Sequence, residues 1–373
     1  MTLPPPARTG MSLDEVDTPA LLLDLDAFEH NLDTLDRTLA GREVRIRPHA
    51  KSHKCPRIAL AQMQRGAVGV CCQKVSEAEA LVDGGVTDVM VSNEVVGAGK
   101  LAKLAALAKR ARISVLADHP DAVDALATAV RGAGASIEVL VEVDVGAGRC
   151  GTLPGEPAAV LAAHIAGKPG LRFRGIHAYH GGAQHLRTPA ERESAITSAV
   201  AQVKDTLAAL KKHGLEAEIV TGAGTGTYLL EAASGIYNEI QPGSYIFMDA
   251  DYGRNLEADG TPVQTFRHSL FVLATVMSRP TPTRAVVDAG LKAHSVDSGN
   301  PSVAGVPGAT FLRASDEHGT IQVASPFDLP LASKVKLIPG HCDPTVNLYD
   351  WLVCYRGERV EDVWPIAARG AFY

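Results

Sequence analysis

The stretch Arg45-Ile46-Arg47-Pro48-His49-Ala50-Lys51-Ser52-His53-Lys54 begins as a short strand and ends in a cluster of cations. The strand-like run starts at Val44, and Lys51 follows at its mouth. With Arg47, His49, His53 and Lys54 around it, Lys51 is expected to have a depressed pKa, because nearby positive charges disfavour another. A neutral lysine amine attacks an aldehyde carbon and forms a Schiff base. Taken alone, the cluster reads as a solvated basic loop, so the remainder of the chain has to carry the chemical reading.

Working outward, short β-rich runs alternate with amphipathic Ala/Leu-rich stretches. The runs 44–48, 67–71, 88–92, 113–117, 137–143, 173–179, 217–221 and 239–245 predict strands. Segments 76–83, 99–111, 120–131, 157–166 and 192–213 predict helices between them, and 26–39 a helix before the first strand. Eight strands alternating with helices predict an α/β fold, a parallel (β/α)8 TIM-type barrel, with a doubly wound open sheet as the alternative. From about residue 255 the helical period disappears. Runs at 270–277, 284–289, 320–323, 334–339, 351–355 and 359–364 are separated by Gly, Pro and Asn/Asp turns, which predicts a smaller antiparallel β domain. The expected division is 17–254 for the barrel and 255–373 for the β domain, with the Pro-rich N-terminal arm 1–16 packed on the latter.

The chain has 373 residues, 46% of them hydrophobic, and a formal charge of −6. That length suits one large domain and a smaller one. The charge argues against nucleic acid or an anionic membrane as a partner. No apolar run reaches a membrane span, and the first twelve residues lack a signal-peptide core. Cysteines at 55, 71, 72, 150, 342 and 354 form neither a disulfide framework nor a paired zinc spacing, and a reducing cytoplasm is the expected location.

In a parallel barrel the chemistry sits at the C-terminal ends of the strands, with phosphate commonly bound after strands seven and eight. After strand seven comes Thr221-Gly222-Ala223-Gly224-Thr225-Gly226-Thr227, a loop whose backbone amides and hydroxyls suit a phosphate. Arg149, after strand five, offers a fixed cation for a pyridine cofactor. Tyr179, after strand six, shares a face with His177, while His180 and His185 are candidates for acid/base work. Gln73 and Tyr245, near the ends of strands two and eight, are further candidate contacts. In the β domain, His341-Cys342-Asp343 on an extended backbone would point His341 and Asp343 to one side. Such an N/O pair suits Mn²⁺ or Mg²⁺ ahead of Zn²⁺, without excluding the latter.

Taken together, these motifs resemble the fold-type III pyridoxal phosphate enzymes, and within them the D-threonine aldolases. The resemblance runs from Asp17-Thr18-Pro19-Ala20, through Pro48–Lys54, Cys72-Gln73-Lys74, Gly148-Arg149, the His177–Gly182 and Thr221–Thr225 segments and Val287–Lys292, to Pro339–Thr345. It implies pyridoxal 5'-phosphate on Lys51, with His49, Gln73, Arg149, Tyr179, Thr221, Gly222, Gly224, Thr225 and Tyr245 as its contacts. It implies a divalent metal at His341/Asp343, and His185, or a hydroxide held by the metal, as the base. The implied reaction is retro-aldol cleavage of a β-hydroxy-D-amino acid to glycine and an aldehyde, by a homodimer. The related D-serine and D-threo-3-hydroxyaspartate dehydratases carry His-x-Cys at the metal position, so Cys342 beside Asp343 keeps a dehydratase as the alternative. A non-catalytic pyridoxal phosphate carrier resembles the barrel alone and leaves the second domain unexplained. A metal-dependent barrel aldolase without that cofactor leaves the Gly-rich loop unexplained.

Overall fold

A computed structural model describes residues 4–323 and 329–373, so positions 1–3 of the expected arm and 324–328 of the β domain lie outside the described residues. The first strand, β1 (Ala20–Asp24), leads into a helix (Leu25–Leu39) capped by Asp24, whose carboxylate accepts from the amides of Asp26 and Ala27. Eight parallel strands follow: β2 (Arg45–Ile46), β3 (Val70–Cys72), β4 (Asp88–Glu94), β5 (Arg112–Ala117), β6 (Ile137–Glu142), β7 (Leu171–His177), β8 (Ile219–Gly222) and β9 (Glu239–Ile240). They run side by side in the order β2-β9-β8-β7-β6-β5-β4-β3. The ring closes where Val68 donates to the Ile46 carbonyl and Cys71 to the Pro48 carbonyl, each at 2.9 Å, with a parallel bridge between His49 and Cys71. The open-sheet alternative is thereby set aside.

Side-chain parity explains the packing. Val89, Val91, Val115, Val139 and Val141 face the helices, while the alternate residues Met90, Leu116 and Leu140 join Cys71 and Ile219 in the barrel centre. The interior is thus a packed core rather than a pore.

The second sheet contains β10 (Leu270–Thr281), β11 (Arg284–Val287), β12 (Ser302–Val303), β13 (Ala309–Ala314), β14 (Gly319–Val323), β15 (Lys334–Ile338), β16 (Trp351–Arg356) and β17 (Arg359–Pro365). Its main path runs β13-β14-β11-β10-β1-β16-β17. One expectation is corrected here. The boundary expected at residue 17 falls too early, because β1 lies in the second sheet, antiparallel to β10 and parallel to β16. The β domain is antiparallel as expected apart from the one parallel pair that β1 makes with β16. The reason is burial: Leu21, Leu22 and Leu23 are wholly buried on both faces of that sheet.

Candidate active site

Lys51 lies in the single turn Ala50–Ser52 just beyond β2, with His49 Nδ1 accepting from its amide. The expected crowd of cations is absent from its ammonium. Arg47 is buried and pairs with Glu239 at 3.0 Å and Asp88 at 2.6 Å. Lys54 pairs with Glu77. His53 is buried, and burial pushes its pKa down to about 3. Lys51 instead contacts the Asp343 carboxylate, which reaches it from the second domain. Burial opposes the ammonium charge, but Asp343 outweighs it and holds Lys51 above the usual lysine range, which corrects the expected depression. Burial likewise opposes the Asp343 charge, and Lys51 and His341 pull it well below the carboxylate range.

Around Lys51 is a cavity of about 440 Å³, a size that suits a small cofactor with its substrate. Seven of the anticipated residues line it: His49, Lys51, Gln73, Arg149, Tyr179, Gly224 and Thr225. Gln73 donates to the Ser92 carbonyl at 3.0 Å and lies 2.9 Å from His49 Nε2. Burial and the nearby Lys51 hold His49 neutral, well below the usual histidine range. The Arg149 guanidinium lies 5.9 Å from the centre of the Tyr179 ring. Its loop is shaped by the Asp144 carboxylate, which accepts from Gly146 and Gly148 at 3.0 and 3.1 Å. Gly146 has φ +124°, and a Cβ there would lie 2.7 Å from His180 Nε2, so a side chain fits neither the backbone nor the space. His180 itself caps the turn Gly181–His185.

Three expected contacts go elsewhere. Thr221 is buried under the cavity, where its hydroxyl accepts from Gln241 at 2.9 Å. Gly222 is packed against Ala178, whose carbonyl oxygen would lie 2.5 Å from any Cβ. Tyr245 sits beyond the strand, since β9 ends at Ile240 before Pro242-Gly243, and its hydroxyl accepts from Gln62 at 3.1 Å. His185 is at the rim rather than the wall. Its Nδ1 is 2.5 Å from Asp251, and its ring is 5.1 Å from that of Tyr252, which does line the cavity.

The structure also assembles a group that sequence reasoning did not place. His177 lines the cavity, with Nδ1 on the buried Glu142 and Nε2 3.1 Å from Gln241 Oε1. Gln241 Nε2 faces Thr221, so its oxygen is the atom offered to His177. With that orientation Glu142 accepts from Nδ1 and Gln241 from Nε2, an arrangement that favours the protonated ring. Burial opposes that charge, and Glu142 raises the pKa against it. The one available signal was alternation, since β6 and β7 end in Glu142 and His177, which are register partners.

The metal pair also departs from its expected backbone. His341 is extended (φ −145°, ψ 124°), but Cys342–Val346 is a short helix, for which Pro344 is suited in the first turn. Asp343 faces Lys51, whereas Cys342 is wholly buried, with burial pushing its thiol far up. Asp249 holds this corner by accepting from Tyr252 and Cys342 amides, each at 2.9 Å. Among the described residues no group of three or more His, Cys, Asp or Glu side chains could hold a metal ion. His341 and Asp343 offer a nitrogen and an oxygen donor, a set that suits a divalent ion whose other positions are taken by water and a substrate oxygen. For pyridoxal phosphate the residues also fit: a lysine, a guanidinium beside an aromatic ring, and the Gly224–Thr225 backbone at one cavity wall.

The barrel and its companion sheet place the molecule in a class. Residues 23–251 match the family described as alanine racemase, N-terminal domain, and residues 269–355 match a serine dehydratase domain family. The chain belongs to the D-threonine aldolase family of these alanine-racemase-like enzymes. It is 48% identical to a D-threonine aldolase of Arthrobacter sp, over 99% of this chain and 97% of that one. It is 45% identical to a 3-hydroxy-D-aspartate aldolase of Paracoccus denitrificans, over 99% and 96% of the two chains. The crystal structure of a D-threonine aldolase from Filomicrobium marinum superposes with a TM-score of 0.96 at 50% identity, covering all of both chains.

Proposed function

We propose that this enzyme cleaves β-hydroxy-D-amino acids, D-threonine among them, to glycine and an aldehyde, using pyridoxal 5'-phosphate and a divalent metal, Mn²⁺ or Mg²⁺ ahead of Zn²⁺. The observation that carries the proposal is the meeting of Lys51 with Asp343, because it brings one member of the His341/Asp343 pair to the lysine of the cavity. The family supports the cofactor, and the aldolase relatives support the bond that is cleaved. When bound, the cofactor supplies an electron sink for Cα–Cβ cleavage and the metal a Lewis acid for the β-hydroxyl.

The chain's own residues have separate tasks. Lys51 is the amine that would hold the cofactor, and Gly224 and Thr225 would hold its phosphate. Arg149 and Tyr179 orient the ring, and His177 supplies a buried positive charge beside it. His341 and Asp343 would hold the metal, which would act on the substrate hydroxyl as a Lewis acid, and His185, held by Asp251, would take the hydroxyl proton. The buried, protonated thiol of Cys342 weighs against the His-x-Cys ligand set of the dehydratases. We also take the working form to be a cytoplasmic homodimer; among the described residues no helix is long and apolar enough to cross a membrane.

Product analysis tests the reaction. Purified protein with pyridoxal phosphate and Mn²⁺ is given D-threonine, L-threonine and D-serine in parallel. Glycine and acetaldehyde from D-threonine alone are expected. Release of 2-oxobutyrate or pyruvate with ammonia would establish the dehydratase instead.

A further inference from the structure

Resting on the reading of His341 and Asp343 as metal ligands, we infer that Asp297 is the positioning carboxylate of that pair. It fixes the His341 ring so that Nε2 is the nitrogen left for the metal. His341 gives its own helix no side-chain cap, so nothing in the following turn holds the ring. Its Nδ1 lies 2.7 Å from Asp297 Oδ2. A carboxylate only accepts, so Nδ1 carries a proton, and in the neutral ring that ligates a metal the lone pair is on Nε2.

Asp297 is itself anchored. Ser295 donates to its Oδ1 at 2.6 Å and Ser298 to its Oδ2 at 3.2 Å. The Ser298 carbonyl in turn accepts from Arg254 at 2.7 Å, which ties this loop to the chain leaving the barrel. The arrangement is that of a carboxylate behind a ligating imidazole, a partner whose loss costs on the order of 10–100-fold in metal affinity. Asp297 is half-exposed, which places the expected cost near the lower end.

The test uses the cofactor-loaded protein titrated with Mn²⁺, with free Mn²⁺ followed by electron paramagnetic resonance. Asp297→Ala is expected to weaken Mn²⁺ binding about tenfold, with the cofactor absorption band unchanged. Asp297→Asn keeps an oxygen able to accept from Nδ1–H and is expected to restore part of that loss. Nitrogen NMR of the metal-free protein, with the His341 signal assigned by its loss in His341→Ala, is expected to show Nδ1–H in the parent and not in Asp297→Ala. Parent-like Mn²⁺ affinity in Asp297→Ala, or a proton on Nε2 in the parent, would overturn the inference while leaving the ligand pair intact. Equal Mn²⁺ binding by the parent and His341→Ala would overturn the ligand pair, and this inference with it.

Discussion

Cys342 and Asp343 are adjacent in sequence and opposite in fate: one thiol is sealed in the β-domain core, and one carboxylate meets Lys51 at the barrel mouth. The His-x-Asp spacing was legible as a candidate ligand pair. The turn of helix that separates the two neighbours was not, because it depends on Asp249 gripping the Cys342 amide from 93 residues away. Lys51 teaches the same lesson. Its site was visible in the chain, yet its charge state is set by a carboxylate 292 positions distant. Glu231 gives a test of burial on a single group. It lies behind the Gly-rich loop, with Thr227 donating to Oε1 at 2.8 Å and Oε2 without a hydrogen-bond partner among the described residues. Burial raises its pKa from 4.5 to about 7. Between those values the folded state holds a proton that the unfolded state has lost, so this group's effect is a stability that falls as pH rises through the window. Glu231→Gln is expected to flatten that slope and to stabilise the protein at pH 8, by a few kcal/mol at most. Urea unfolding at pH 5 and pH 8 reads it; an unchanged slope in the variant would refute the assignment.

Among the elements, β2 is the weak point of the barrel, since only Arg45 and Ile46 pair with β9. Arg47, just beyond, compensates by bonding Glu239 at the start of β9 and Asp88 at the start of β4. The Gly69 backbone makes room for it, as a Cβ there would fall 2.7 Å from the guanidinium. Removing one partner of a buried ion pair strands the others without solvent, at a cost of about 3–5 kcal/mol. Arg47→Ala is therefore expected to lose that much in chemical denaturation; a loss under about 1 kcal/mol, the range of exposed pairs, would mean that the seam is held by backbone bonds alone. In the sequence this arginine counted toward lowering the Lys51 pKa, because adjacency is visible there and the inward turn of a side chain is not. Strand ends suffered similarly: alternation located all eight barrel strands, but the Pro242-Gly243 break moved Tyr245 off the strand and out of the cavity.

For the whole molecule, β1 is what makes the two domains inseparable. The barrel's first helix grows directly out of a strand that sits between β10 and β16. Burying Leu21, Leu22 and Leu23 contributes roughly 1.5–3 kcal/mol each, a sum comparable with the whole stability of an ordinary domain, about 5–15 kcal/mol. A chain begun at Leu25 would also leave two strand edges open. It is expected to be insoluble or to lack a cooperative thermal transition by circular dichroism. A soluble, cooperatively folding product would show that the second sheet does not depend on β1.

Local composition was enough to determine the (β/α) alternation, the change of character near residue 255, and the residue types of a lysine-centred cavity, because periodicity, turn residues and short motifs act over a few positions. Long-range packing determined the rest. It turned Arg47 inward, buried Cys342, placed Glu142 and Gln241 on His177, and brought Asp343 to Lys51. Each of those outcomes depends on which distant surface a side chain meets and how much water that meeting removes, and neither quantity is written along the chain.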